Sequence, residues 1–272
     1  IATAPFSLFH FQQFAVYGII GNALAVPLTS FIIMPAIVIA LILMPFGLEY
    51  WPLKLLEFGM NVLLDVARWV AQLPYAELNV SEWPQESLTL MIVGLLVLLL
   101  WKGWGRLIGF APILAAIGVI YVYQPPDVLV SPDFGLMAYR MENGRLSVSG
   151  KRKARFAREN WERLAGLPQG SSGVWPKEGF KDGMACDESA CRLETKNHKV
   201  AFLKEPEKLA EECAWAEVIF SFEPLRKARC ENAVVRDKFD GYDDGAHAAW
   251  LSENGIKIES ASDVRGRRPW TR

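Results

Sequence analysis

The chain has 272 residues, 51% of them apolar and 22% charged, with a net charge of −1 and a mean hydropathy of +0.15. That balance excludes a disordered chain and a protein that gathers polyanions through bulk charge. It also conceals a split: up to Pro126 the charged residues are Lys54, Arg68, Lys102, Arg106, Glu49, Glu57, Asp65, Glu77, Glu82 and Glu86, ten in 126 positions, whereas the 146 positions from Asp127 onward hold 49. No formal charge occurs from Ile1 to Leu48, which excludes a single soluble domain as the simplest reading and assigns the first half to a bilayer. The two materials meet at Gln124-Pro125-Pro126-Asp127. The chain opens on Ile1 with no basic segment and no small-residue cleavage site, so a signal peptide is not expected, and the sequence reads as the C-terminal piece of a longer membrane protein.

The first segment crowds aromatics around His10, Gln12 and Gln13 and continues to Gly18, Gly21 and Asn22. It reads either as a re-entrant, pore-facing element that contacts nucleic acid by stacking, or as a lipid-interface anchor. Ala23 to Leu48 is 26 residues without a charge, long enough to span. Pro27, Pro35 and Pro45 predict a kinked or discontinuous span. In Leu53 to Leu73 the polar residues Lys54, Glu57, Asn61, Asp65, Arg68 and Gln72 recur at helical steps, with Leu55, Leu56, Phe58, Val62, Leu63, Val66, Trp69 and Val70 opposite. This helix either lies along the membrane surface or turns its stripe to a water-filled path, and Asp65 can pair with Arg68 in both cases.

Ser87 to Trp101 and Leu107 to Tyr123 read as an antiparallel pair of spans with Trp83, Trp101, Trp104, Tyr121 and Tyr123 at the interfaces. The joint Lys102-Gly103-Trp104-Gly105-Arg106 carries two basic residues and no acid, a bias that keeps short loops in the cytoplasm. Both far ends of the pair, and everything after Tyr123, are then expected outside.

The order Ala2-Thr3-Ala4-Pro5, His10-Phe11, Tyr17-Gly18, Gly21-Asn22-Ala23-Leu24-Ala25-Val26-Pro27-Leu28, the Pro-broken span and Val66-Ala67-Arg68-Trp69-Val70 resembles the end of the competence domain of the ComEC family. The resemblance covers residues 1 to about 123, and the tail is similar to the form found in some Gram-negative members. It implies an inner-membrane, multi-pass protein that forms the channel carrying single-stranded DNA into the cell during natural transformation. The implied partners are single-stranded DNA, the lipid bilayer, other competence-machinery proteins and further copies of the chain. Many members end in a metallo-β-lactamase-like domain with a His-x-His-x-Asp-His cluster holding two metals. This chain departs from that pattern: His10, His198 and His247 are its three histidines, none in such a motif, so no metal or other cofactor is expected.

Beyond Tyr123, Asp127 to Ser131 and Gly135 to Met141 read as strands, with Asn143-Gly144 as a two-residue hairpin into Arg145 to Ser149. Lys153 to Leu167 reads as a helix stopped by Gly166-Leu167-Pro168, and Gln169 to Gly183 as an irregular loop. Lys199 to Leu203, Glu217 to Phe222 and Ile256 to Ser260 read as strands, and Glu205 to Cys213 and Gly245 to Glu253 as helices. Cys186, Cys191, Cys213 and Cys230 favour disulfides in an outer domain, Cys186 with Cys191 and Cys213 with Cys230, over a zinc site. The basic run Lys151 to Arg158, with Arg152 and Arg155, and the tail Arg265 to Arg272 either meet DNA phosphates or form a solvated face and a loose terminus. Asp240-Gly241-Tyr242-Asp243-Asp244-Gly245 misses calcium-loop spacing and reads as a surface turn. No nucleophile set or phosphate-binding loop is present, and an enzyme is not expected.

The resulting expectation is a polytopic α-helical membrane segment, residues 1–123, followed by a small α/β or α+β extracytoplasmic domain, residues 124–272. Its expected role is that of a DNA-translocating channel component, with a small-solute transporter fragment as the alternative. His10, Gln12, Gln13, Asn22, Asn61, Asp65, Arg68, Arg152 and Arg155 are the candidate channel or DNA contacts.

Overall fold

The computed structural model describes residues 4–150, 154–225, 230–253 and 255–266. The chain forms two compact units, Ile1–Val80 and Ser81–Arg272. The contact boundary thus lies well before the compositional one at Gln124, and the second apolar helix pair groups with the charge-rich half.

In the first unit, α1 (Ala4–Phe11) leads into β1 (Gln13–Ala15), and α2 (Gly18–Leu28) runs through a π-turn, Thr29–Ile33, into α3 (Met34–Leu43) and a tight turn, Met44–Phe46. Gly18–Phe46 is one helical run of 29 residues, long and apolar enough to cross a membrane. The prolines neither break it nor leave it regular. Pro35 has no N–H to give and would crowd the preceding turn, and the ladder widens there so that Met34 N–H reaches Thr29 O, five residues back. The Thr29 hydroxyl donates to Ala25 O at 2.7 Å in the turn that contains Pro27. The run stops at Gly47, whose φ of 69° is left-handed.

The chain then returns as α4 (Tyr50–Ala71), with Pro52 in its first turn, and ends in β2 (Glu77–Asn79). The return is antiparallel: a Cβ on Gly59 would stand 3.1 Å from Ile33 Cγ1, and one on Gly21 would stand 3.9 Å from Val70. Strands β1 and β2 pair antiparallel, Gln13 opposite Asn79 and Ala15 opposite Glu77, and Tyr17 Oη donates to Pro74 O at 3.1 Å. This ribbon closes the hairpin at its open end.

The second unit begins with α5 (Gln85–Leu100), started by Ser87, whose N–H and hydroxyl both donate to Pro84 O. A 3₁₀ segment, Trp104–Gly109, leads into α6 (Phe110–Val122), and together these make a 19-residue apolar run, while α5 is a shorter apolar helix. The two helices touch through glycines: Gly94 would put a Cβ 2.5 Å from Ile113 Cγ1, and Gly109 one 2.7 Å from Gly94 O. Trp101, Trp104 and Tyr121 stand exposed near the helix ends.

After Gln124 come β3 (Val128–Val130), β4 (Met137–Arg140), β5 (Leu146–Val148), α7 (Arg155–Leu164), β6 (Gly173–Val174), β7 (Gly179–Lys181), β8 (Met184–Cys186), β9 (Ala190–Thr195) and β10 (His198–Leu203). Then follow α8 (Leu209–Trp215), β11 (Val218–Ser221), β12 (Val234–Arg236), α9 (Lys238–Asp244), β13 (His247–Ser252), β14 (Gly255–Ser260) and α10 (Ala261–Arg265). One sheet has the order β14-β13-β3-β4-β5-β6 and the other β12-β11-β10-β9-β8-β7. Their facing sides share one core that includes Val128, Met137, Tyr139 and Leu251 from the first and Met184, Val200, Phe202 and Phe220 from the second, with Trp175 4.6 Å from Phe202. On the outer side of the first sheet Trp161 and Ala157 of α7 cover Leu136, Ala138 and Val148. On the outer side of the second, Leu209, Cys213 and Trp215 cover Ala201, Leu203 and Ile219. The layers run helix, sheet, sheet, helix, within the α/β class expected.

Both expected disulfides are present, Cys186–Cys191 between directly paired residues of β8 and β9 and Cys213–Cys230 across 17 residues. Each contributes about 2–4 kcal/mol in bridges of this kind. Four expectations fail locally. Gly245 to Glu253 is not a helix but contains β13: His247, Ala249 and Leu251 are buried in alternation, a period of two that pairing on both edges enforces over the alanines' helical preference. Gln169 to Gly183 is not wholly irregular, since it holds β6 and β7. The β4–β5 connection is longer than two residues, because Met141 N–H bonds Arg145 O and Gly144 supplies the left-handed residue at φ 77°. Asp240 to Asp244 is part of α9, which Asp237 starts through a reciprocal capping box with Asp240.

Candidate functional site

The polar side chains of α4 converge on one face of that helix. Its packing side is apolar and small: Pro52 and Gly59 are buried, and Leu56, Val62, Leu63, Val66 and Val70 are half-buried. A rotation of 100° per residue carries Lys54, Glu57, Asn61, Asp65, Arg68 and Gln72 to the side opposite that packing face, and all six are exposed. Between stripe and packing face lie exposed apolar flanks, Leu55, Phe58 and Trp69 on one side and Leu53, Met60 and Leu64 on the other. The helix therefore has a seam to its neighbour, two oily flanks and one wet edge.

The charges on that edge are arranged in pairs. Lys54 Nζ lies 2.7 Å from Glu57 Oε2 and Arg68 Nη1 lies 3.4 Å from Asp65 Oδ1, each pair three residues apart and Asn61 between them. Pairs this exposed contribute little to stability. Their effect is on what the edge presents: a row with basic ends, acids one turn inward and no net charge.

The other predicted contacts do not join this row. His10 is exposed on α1, edge-on to Phe9 at 5.2 Å. Gln12, expected as a channel or DNA contact, is buried, with a φ of 52° and its amide donating to Phe9 O. Gln13 sits in β1 opposite Asn79, and Asn22 is exposed on α2 beside Gly21, which packs towards Val70. Arg155 is exposed and lies 2.6 Å from Glu159, one turn along α7. Arg152 and the tail from Arg267 lie outside the described residues.

Among the described residues, the two histidines of the second unit are placed apart from any metal-binding cluster. His198 has both ring nitrogens engaged, Nδ1 with Glu217 Oε2 at 2.9 Å and Nε2 with Ser252 O at 2.8 Å, and these partners, the Ser252 carbonyl first and then Glu217, raise its pKa. His247 is buried against Phe134 with Nδ1 2.9 Å from Gly245 O, and burial holds its pKa below the usual histidine value. Among the described residues no three His, Cys, Asp or Glu side chains gather to hold a metal ion.

Sequence reasoning missed Glu162, which is fully buried on α7. Its carboxylate accepts from Gly170 N at 2.7 Å and from Ser172 N at 3.1 Å and Oγ at 2.5 Å, fixing the loop after the helix. It also missed Glu82, whose N–H donates to Leu164 O and whose pKa burial raises, partly offset by Arg140.

The geometry defines a helical unit with an apolar run long enough to cross a membrane, followed by a disulfide-linked two-sheet domain, as in a membrane protein with an extracytoplasmic domain. Residues 1–105 match the family model described as Competence protein, so this region carries a Competence protein domain, the ComEC membrane region. Neither a curated protein nor a solved structure matches the chain.

Proposed function

We propose that the chain is part of an inner-membrane channel through which single-stranded DNA enters the cytoplasm during natural transformation. The Competence match over residues 1–105 supports the setting. The observation that carries the reading is the wet edge of α4. That helix lies along a 29-residue charge-free run, so if the run spans, the edge stands at membrane depth. Ionisable groups at that depth cost several kcal/mol against lipid and face water or one another instead. A neutral row of paired charges suits a water-filled wall, and the oily flanks beside it suit lipid or neighbouring helices.

In this reading Lys102–Arg106 lies in the cytoplasm, the sheet domain lies outside as a non-enzymatic cap, and the partners are DNA, lipid, other competence proteins and further copies of the chain. The test is a photo-crosslinking residue at position 61 of the full-length protein in a transformable cell, with uptake of labelled DNA followed in parallel. Crosslinks to incoming DNA from position 61, absent from position 55 on the flank, are expected. Transformation that survives Asn61→Leu with Asp65→Leu, with no crosslink, overturns the reading in favour of a small-solute transporter.

A further inference from the structure

The wet edge has a pattern that a path for a polyanion does not require. Lys54 and Arg68 stand at its two ends, about 21 Å apart along the helix axis. Each has an acid one turn inward within ion-pair distance, at 2.7 and 3.4 Å. Reading along the edge the signs run plus, minus, neutral, minus, plus. A wall built only to attract phosphates would omit the acids, since a carboxylate repels the cargo and competes for the cation. A wall indifferent to phosphates would omit the cations.

We infer, on the channel reading above, that Glu57 and Asp65 set how long the path holds its cargo: each occupies the cation beside it, so that a passing phosphate exchanges with a resident carboxylate instead of being captured. The exchange leaves each cation with one anion and adds the cargo's negative charge beside the displaced carboxylate. A phosphate that meets Lys54 displaces Glu57 from it, and the freed carboxylate then favours release. The same exchange follows at Arg68 with Asp65. The cargo class this suits is a flexible single-stranded polyanion, whose phosphates arrive one after another and are each let go. Glu57 and Asp65 are thereby positioning residues acting through the cations.

The test uses the full-length protein in proteoliposomes with end-labelled single-stranded DNA, comparing the native protein with Glu57→Gln, Asp65→Asn and the double variant. Retention of DNA is expected to rise and transit to fall. The slope of log retention against log salt is expected to steepen by about 0.7 for each cation released, and by about 1.4 in the double variant. The reversed pair, Lys54→Glu with Glu57→Lys, keeps the cation occupied and is expected to restore the native slope, which separates this role from a merely structural one. An unchanged slope in the double variant, or a slope that the reversed pair fails to restore, overturns the inference. Loss of the crosslink at position 61 in the native protein overturns the channel reading itself. A retained crosslink with an unchanged slope overturns only the role of the two acids.

Discussion

His198 ties the ends of three strands: it leaves β10, meets Glu217 just before β11 and reaches the Ser252 carbonyl at the end of β13, bridging the two sheets. Its pKa is raised in the folded state, so its contribution is complete below the unfolded value of about 6.5 and is lost as pH rises through the folded value. The stability gap between the native protein and His198→Gln is expected to be widest near pH 5.5 and to close at alkaline pH, read from thermal midpoints across that range. His247 has the opposite sign, buried and depressed, but it is common to both proteins and cancels in the difference. At Glu162, replacement by Ala would leave the N–H groups of Gly170 and Ser172 without their acceptor inside the fold, at a cost of about 3 kcal/mol in denaturant unfolding. Neither residue was legible beforehand. A histidine and a glutamate in a charge-rich stretch look like surface until their partners are known: those of His198 lie 19 and 54 residues away, and those of Glu162 lie in a loop 8 to 10 residues on.

At the scale of elements, what the sequence displays plainly is periodicity. The six-membered polar stripe of α4 is visible because every step is three or four residues, and the structure keeps all six on one side. The disulfide partners were readable from spacing, 5 and 17 residues, within one domain. What hides is whatever depends on a neighbour. The alanines of β13 read as helix because their strand partners, β3 and β14, lie on either side in space and only one of them is near in sequence. The π-turn hides because the sequence states that Pro35 cannot donate and not how the ladder accommodates it. Glycine contacts are a further case: Gly94 and Gly118 look alike in an apolar run, yet a Cβ at Gly94 would collide with Ile113 and Gly109, while at Gly118 no atom lies within 4 Å. Gly94→Val is therefore expected to cost about 1–3 kcal/mol in unfolding measurements, with Gly118→Val close to native.

For the molecule as a whole, the composition boundary and the contact boundary differ, and the difference has a topological reading. The pair α5–α6 has the composition of the first half and the contacts of the second, so its orientation carries the sheet domain with it. Single cysteines introduced at Lys102 and at exposed Phe180, in a background lacking native free thiols, are expected to label from opposite sides of intact membranes, Phe180 from outside. Labelling of both from one side would break the link between loop charge and domain position. The site was legible as a stripe and not as a site, because what the stripe lies beside follows from packing against Gly18–Phe46, which no local pattern of α4 contains.

The junction at Gln124 to Asp127 reads on paper as a proline-rich hinge and is built otherwise. Trp250 Nε1 donates to Gln124 O at 3.1 Å, and Asp127 N–H bonds Ala249 O at 2.9 Å. The Asp127 carboxylate takes Lys196 at 2.7 Å and Leu251 N at 2.8 Å, and Arg140 Nε reaches Pro126 O at 3.3 Å. Three separate parts of the sheet domain thus grip three of these four residues. Mechanically this is a spline, not a swivel: the segment that follows α6 is fastened to the sheets at its backbone as well as at its one carboxylate.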